Sequence, residues 1–181
     1  MLGLRPLPMN SAYLRECFTY DCAIGVLVWR ERPTTHFRNG AGWHNFNQQC
    51  AGKPAGCKNK YGRNDIKLDG KTYKAARLIW AWHFGDIGER QIDHIDGDPG
   101  NDRVENLRPV TAAQNAQNRT VSRRNSSGTM NVTWHKPSSK WWVRITVNGK
   151  TRSFGLYENL ATAKCIAAKK RQDLFGEFAR A

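Results

Sequence analysis

The run from Gln91 to Asn115, QIDHIDGDPGNDRVENLRPVTAAQN, restricts what this chain can fold into more than any other part of it. Polar and apolar residues alternate through Gln91-Ile-Asp-His-Ile-Asp96, which suits a short strand that Gly97 ends. In a flat strand Asp93 and His94 face opposite sides, so a bend or bulge near His94 is expected, letting both flank one cavity. Asp96 to Asp102, rich in Asp, Gly, Asn and Pro, reads as a polar loop. Asn106-Leu-Arg-Pro-Val110 reads as the returning strand. Thr111 is placed to cap a helix through about Arg119, with Asn115 in its first turn and a half.

A strand, long loop, strand and helix in this order can bring Asp93, His94, Asn106 and Asn115 to one cleft. Singly, each reads equally well as a turn former or a cap. Together they offer what phosphodiester hydrolysis requires: a base to activate water, and ligands for a hard cation that stabilises charge on phosphate and leaving oxygen. An Asp carboxylate and an Asn amide suit one divalent cation, Mg²⁺ or Mn²⁺, and neutral histidine suits the base.

Charge points the same way. Lys and Arg number 29 against 15 Asp and Glu, a formal net charge of +14. Residues 116–181 carry +10 of it and residues 1–115 only +4. Such an excess goes with a polyanionic partner, nucleic acid first, and places the stronger grip in the C-terminal third. A basic surface without a ligand is the plain alternative. A membrane surface fits less well, because the charges sit among Trp and strand-like residues rather than opposite a greasy helical face. No stretch approaches the roughly 20 apolar residues of a membrane span. The start, MLGLRPLPMN, lacks a basic segment followed by a hydrophobic core, so a cytoplasmic protein of a bacterial or phage-infected cell is expected. The five cysteines show no CxxC pair, and reduced thiols are the default. Cys50 and Cys57 with His44 or His36 form only a loosely spaced metal set.

Upstream, Ala12 to Phe18 suggests a brief helix and Gly25 to Trp29 a strand. Arg32 to Arg63, rich in Gly, Asn, Pro and charge, predicts a long loop or partly disordered insert. Asp65 to Asp69 suits a half-buried strand, followed by a Gly70-Lys71 turn and a second strand or helix entry at Thr72 to Lys74. A helix is predicted from Ala75 to Phe84, with Leu78, Ile79 and Trp82 as its apolar stripe, Gly85 as its stop and His83 packing at its end.

Ile92-Asp93-His94-Ile-Asp-Gly-Asp, then Asn101-Asp-Arg-Val-Glu-Asn106-Leu-Arg-Pro-Val-Thr, then Asn115, resembles the HNH endonuclease motif of phage homing enzymes, including its intervals. Tyr20-Asp, Gly25-Val-Leu-Val-Trp29 and Ala76-Arg77-Leu-Ile-Trp80 extend the resemblance to about residues 12–119. It implies His94 as general base, Asp93 and Asn115 as metal ligands, and Asn106 as the residue that holds the His94 loop or orients its imidazole. Ala76 stands where relatives often carry His, which removes any auxiliary role there.

Beyond a polar linker at residues 120–128, with Arg123 and Arg124 able to track phosphates, three strands are predicted. They are Met130 to Trp134, Lys140 to Val147 and Thr151 to Phe154, with an Asn148-Gly149 hairpin turn. Asn159 caps a helix from Leu160 to about Phe175, with Leu160, Ala163, Ala167 and Leu174 available to pack on the sheet. With Gly128, Lys140-Trp141, Gly155, Tyr157 and Gly176-Glu-Phe178-Ala, residues 123–180 resemble the plant Apetala/ethylene-response-factor DNA-binding domain. By that resemblance Trp134, Lys136, Lys140, Trp142, Arg144 and Arg152 would enter a major groove, with Lys150 as a further DNA contact.

The expectation is therefore an α+β protein. Residues 1–119 form an HNH ββα-metal nuclease module, and residues 129–181 a small three-stranded antiparallel sheet packed on one helix. The partner is double-stranded DNA, with neither a membrane nor a small-molecule cofactor, and the protein acts as a monomer on a homing or nicking site. A catalytically silent DNA-binding regulator is the alternative.

Overall fold

The computed structural model describes residues 10–117, 121 and 125–179. The chain is α+β, built from small antiparallel sheets and helices, and it divides into two compact units, Met1–Thr111 and Ala112–Ala181.

In the first unit Asn10 accepts a hydrogen bond from the Tyr13 backbone N–H (3.1 Å) and starts α1 (Ser11–Cys17). The chain runs straight into a hairpin of β1 (Phe18–Asp21) and β2 (Val26–Trp29), paired from Phe18↔Trp29 to Asp21↔Val26. The next segment overturns an expectation. Instead of a loop throughout 32–63, it holds α2 (Gly40–Cys50) and β3 (Cys57–Lys58). No residue of α2 is buried, so its order does not come from a hydrophobic stripe. Phe46 sits edge-on to Trp29 at 5.0 Å between centroids, and Trp43 Nε1 and Asn47 Nδ2 both donate to the Arg32 carbonyl (2.8 and 3.0 Å).

Arg32 is the centre of this arrangement. Only 3% exposed, it donates to Asp69 Oδ1 (2.8 Å), Tyr13 Oη (2.6 Å) and His36 Nδ1 (3.2 Å), and its guanidinium lies 5.0 and 5.2 Å from the Phe37 and Phe46 rings. The burial of a charge is tolerated only when it is paired and hydrogen-bonded. Composition predicted a loop because the order of this segment rests on contacts distant in sequence.

A three-stranded sheet follows, β3 next to β4 (Asn64–Leu68) next to β5 (Lys71–Lys74). Its second turn is Asp69-Gly70, both at positive φ (49° and 76°), one residue earlier than expected and suited to a two-residue hairpin. Ile66, Leu68 and Tyr73 face inward against α3 (Ala75–Phe84), whose Leu78 and Ile79 are fully buried beside Leu14, Phe18 and Leu27. Ala76 lies in this core, and Gly85 (φ 89°) ends the helix. The ribbon of β6 (Gln91–His94) and β7 (Leu107–Val110) completes the unit.

The second unit opens with α4 (Ala112–Gln117); the remainder of the helix expected to reach Arg119 falls outside the described residues. Its sheet has the order β10 (Lys150–Tyr157), β9 (Lys140–Val147), β8 (Val132–His135), with an Asn148-Gly149 turn at φ 50° and 76°. The outer strand extends beyond the expected Phe154 and is broken by a bulge between Ser153 and Leu156. There Gly155 holds φ 114°, and a Cβ would meet Tyr157 Oη at 2.9 Å. Asn159 caps α5 (Leu160–Phe175), and Ala163 and Ala167 let the helix approach Val132 and Val143 closely. Buried Arg171 on α5 reaches Asn131 Oδ1 and the Gln117 carbonyl, both at 2.8 Å.

Replacing Arg32 with Ala leaves Asp69 without its buried cation and is expected to cost about 3 kcal/mol. Lys74→Ala, which removes a largely exposed partner of Asp65, is expected to cost under about 1 kcal/mol. Urea unfolding followed by circular dichroism compares the two, and equal midpoints would contradict the account of Arg32.

Candidate active site

His94 is the last residue of β6, and the register from Gln91↔Val110 to His94↔Leu107 is unbroken. Of the expected bend or bulge, the bulge is absent and the bend is present. The backbone bends at the strand end, where the Gly97 N–H donates to the His94 carbonyl (3.0 Å) with Gly97 at φ 74°. His94 Nε2 lies 2.9 Å from Asp102 Oδ1, and both side chains are largely shielded from solvent. A carboxylate can only accept, so Nε2 carries the hydrogen and a neutral ring has its basic lone pair at Nδ1. Asp102 thus sets the tautomer.

Asn106 ends a short 3-10 turn, Val104–Asn106. Its side chain donates to Asp96 Oδ1 (3.0 Å) and the Asn101 carbonyl (2.8 Å) and accepts from the Asp96 N–H (3.0 Å), while its backbone carbonyl accepts from Ile95 (2.9 Å). These bonds tie both ends of the loop between the strands. Burial acts against ionisation of Asp96, but the Asn101 amide, the Asp98 N–H and the Asn106 amide outweigh it and hold the carboxyl below the ordinary aspartate range.

The loop is also braced from outside. Tyr20 Oη accepts from the Val104 N–H (2.9 Å), and Arg103 Nη2 donates to the Ala23 carbonyl (2.7 Å). Gly25, at φ 71°, admits the Arg103 backbone: a Cβ there would lie 2.6 Å from Arg103 N. Tyr20 in turn packs edge-on against His83 (4.6 Å), and His83 Nδ1 lies 2.9 Å from the Ile79 carbonyl. Burial raises the Tyr20 phenol above its ordinary pKa, so it stays neutral.

Asp93, 7% exposed, pairs across the ribbon with Arg108, whose Nε and Nη2 both donate to Oδ2 (3.0 and 2.9 Å). Asn115 lies in α4, within the second unit. Sequence reasoning missed Asp102, Arg103 and Arg108 as parts of this site. Arg108 had a usable signal, since it stands directly opposite Asp93 once the hairpin register is set. Asp102 had none, being one acid among several in an aperiodic loop. Cys50, Cys57, His36 and His44 form no metal-holding group. Among the described residues no cluster of three or more His, Cys, Asp or Glu does.

In the second unit, residues paired across strands share a face. Val132↔Val143 lies on the side facing α5, so Thr133↔Trp142, Arg144↔Ser153 and Thr146↔Thr151 face away from it. Lys140, opposite His135, joins that outward face. There the Arg144 guanidinium lies 4.9 Å from the Trp142 ring, and Trp142 Nε1 donates to Ser153 Oγ (2.8 Å). Trp134, opposite Trp141, and Arg152 and Lys150, opposite Ile145 and Val147, belong to the other side, and Lys136 sits in a turn. Of the strand residues named from sequence, Lys140, Trp142 and Arg144 therefore lie on the outward face. Arg123 and Arg124 lie outside the described residues.

Comparison with known proteins agrees with the placement of the nuclease motif. A family profile described as HNH endonuclease matches residues 73–117, which run from the end of β5 through α3 and the β6–β7 ribbon to the end of α4. Protein 3.8 of Escherichia phage T7 is 35% identical over 112 residues, covering 60% of this chain and 92% of that protein. No solved structure matches. Among the described residues no helix is long and apolar enough to cross a membrane. With the match spanning nearly all of the phage protein, the chain belongs to the same family as Protein 3.8 and carries an HNH endonuclease domain at residues 73–117.

Proposed function

We propose that the protein is a metal-dependent endonuclease that hydrolyses phosphodiester bonds in double-stranded DNA and acts in the cytoplasm of a bacterial or phage-infected cell. What carries this reading is the His94–Asp102 pair at the end of β6, a shielded imidazole with its tautomer set for base catalysis at Nδ1. In the reaction His94 Nδ1 takes the proton of the attacking water, Asp102 keeps the ring oriented, and Asn106 keeps Asp102 opposite the ring by closing the loop.

The donor set suits a hard divalent cation. Mg²⁺ and Mn²⁺ are commonly held by one or two protein oxygens and leave their other positions to water and phosphate, so the lack of a cluster of three His, Cys, Asp or Glu among the described residues is no obstacle. Asp93 and Asn115 would hold the ion. When bound it supplies electrostatic stabilisation of the phosphate oxygens and the leaving alkoxide. The bonds from Arg108 Nε and Nη2 both reach Asp93 through Oδ2.

The basic second unit serves as the DNA anchor in this reading, with Lys140, Trp142 and Arg144 on the outward sheet face and Arg123 and Arg124 before it. Trp134, Lys150 and Arg152, on the opposite side of the sheet, and Lys136, in a turn, complete the set of DNA contacts expected from the sequence. A silent DNA-binding regulator would keep the sheet but has no use for the His94–Asp102 pair.

His94→Ala is expected to lower the cleavage rate by about 10² to 10⁴ with duplex affinity within a few-fold of wild type. In the same gel assay, chelation stops the wild-type reaction and Mg²⁺ or Mn²⁺ restores it. Wild-type rates in the variant, or activity in excess chelator, would overturn the assignment.

One chain carries one Asp93-His94 pair and so one cleft, which meets one strand at a time. At low enzyme concentration a supercoiled plasmid with one site should convert to open circle and remain there. Linear product without an open-circle stage would show two clefts acting together.

A further inference from the structure

Several arginines of the first unit are engaged in the fold: Arg108 with Asp93, Arg103 with the Ala23 carbonyl, Arg32 with Asp69 and Arg77 with Asp86. The turn between β3 and β4 is different. Lys58, Lys60 and Arg63 fall within six residues that contain no acid, and none of the three forms an ion pair among the described residues. Between them Tyr61 is 68% exposed, with Lys60 Nζ 5.1 Å from its ring centroid.

The turn is closed by hydrogen bonds of Asn59. Asn59 Oδ1 accepts from the Tyr61 and Arg63 N–H groups (2.9 and 3.3 Å), its backbone N–H donates to the Arg63 carbonyl (2.8 Å), and its Nδ2 donates to Asp65 Oδ2 (2.9 Å). Gly62, at φ 78°, takes the corner. This turn abuts the loop that carries Asp102. A Cβ on Gly100 would lie 3.3 Å from the Gly62 carbonyl and 3.8 Å from Lys58 Nζ, and one on Gly62 would lie 3.9 Å from Pro99 Cγ. Three cations outside any ion pair among the described residues, and an exposed phenol, are thereby placed beside the His94–Asn106 loop.

Resting on the nuclease reading, we infer that the Lys58–Arg63 turn is a second DNA contact of this protein, gripping the phosphodiester backbone next to the bond being cut. A preordered cationic turn loses little entropy on binding, and Lys and Arg at this spacing neutralise adjacent phosphates with release of counterions. Tyr61 supplies a hydroxyl for a phosphate oxygen and a ring face for the neighbouring deoxyribose. The turn registers the backbone against the cleft and reads no sequence.

The test uses the full chain and a duplex, with binding measured in chelator at several salt concentrations. The triple variant Lys58→Ala, Lys60→Ala, Arg63→Ala should make the slope of log Kd against log salt shallower by about 2 to 3, from about 0.9 per phosphate contact. The charge-preserving triple variant Lys58→Arg, Lys60→Arg, Arg63→Lys should keep the wild-type slope, which separates loss of charge from loss of the turn. A wild-type slope in the alanine variant overturns the inference while leaving the nuclease reading intact. A wild-type protein that neither binds nor cuts duplex DNA removes both.

Discussion

The side chain of Asn106 holds the site together. One amide bonds to the Asp96 backbone N–H and side chain and to the Asn101 carbonyl, so the ends of a loop built from Asp, Gly, Asn and Pro are fixed to one residue. Asp102 and Arg103 lie inside that closure, and the orientation of His94 depends on where Asp102 is held. A hydrogen bond contributes about 1 kcal/mol net, whereas fixing one residue's backbone costs about 1 to 2 kcal/mol. Asn106 therefore cannot order the loop alone. The β1–β2 hairpin supplies the remainder through Tyr20, the Ala23 carbonyl and the close approach at Gly25. The N-terminal strands thus help to hold a loop distant in sequence.

Asp93 and His94 are neighbours with different surroundings. His94 meets a carboxylate, Asp102, while Asp93 meets a guanidinium, Arg108. A carboxylate as shielded as Asp93 would be costly to keep ionised without a compensating charge, and Arg108 provides one across the ribbon. The same pairing keeps the acceptor oxygens in a defined position.

Much of this was legible in sequence. The boundaries of α3, β9 and α5 follow from apolar spacing and from Asn159, Gly85 and Asn148-Gly149. So do the strands that carry Asp93 and the return from Asn106, because the polar, Gly- and Pro-rich run between them marks a loop. What was not legible rests on pairs distant in sequence. The helix α2 is ordered by Arg32, Trp29 and its own Trp43, Phe46 and Asn47, and no window of composition reports a buried arginine. Asp102 became visible only when its distance to His94 was known. The split of the sheet residues between two faces needed the register, since a shift of one residue exchanges the faces.

The two units differ in how their charge is used. In the first, several arginines are bound to carboxylates or carbonyls, and the net excess is small; in the second, ten of the fourteen net positive charges lie from residue 116 onward. The proposed reading, with chemistry in one unit and anchoring in the other, rests on that division. The central claim is that Asp102 fixes the His94 ring with its hydrogen on Nε2, leaving Nδ1 as the base. Nitrogen-15 NMR of the labelled imidazole in the full chain reads this directly at a pH where the ring is neutral. The account predicts a protonated Nε2 and an unprotonated Nδ1, with the preference lost in Asp102→Ala. A neutral ring protonated at Nδ1 in the wild-type protein would contradict it.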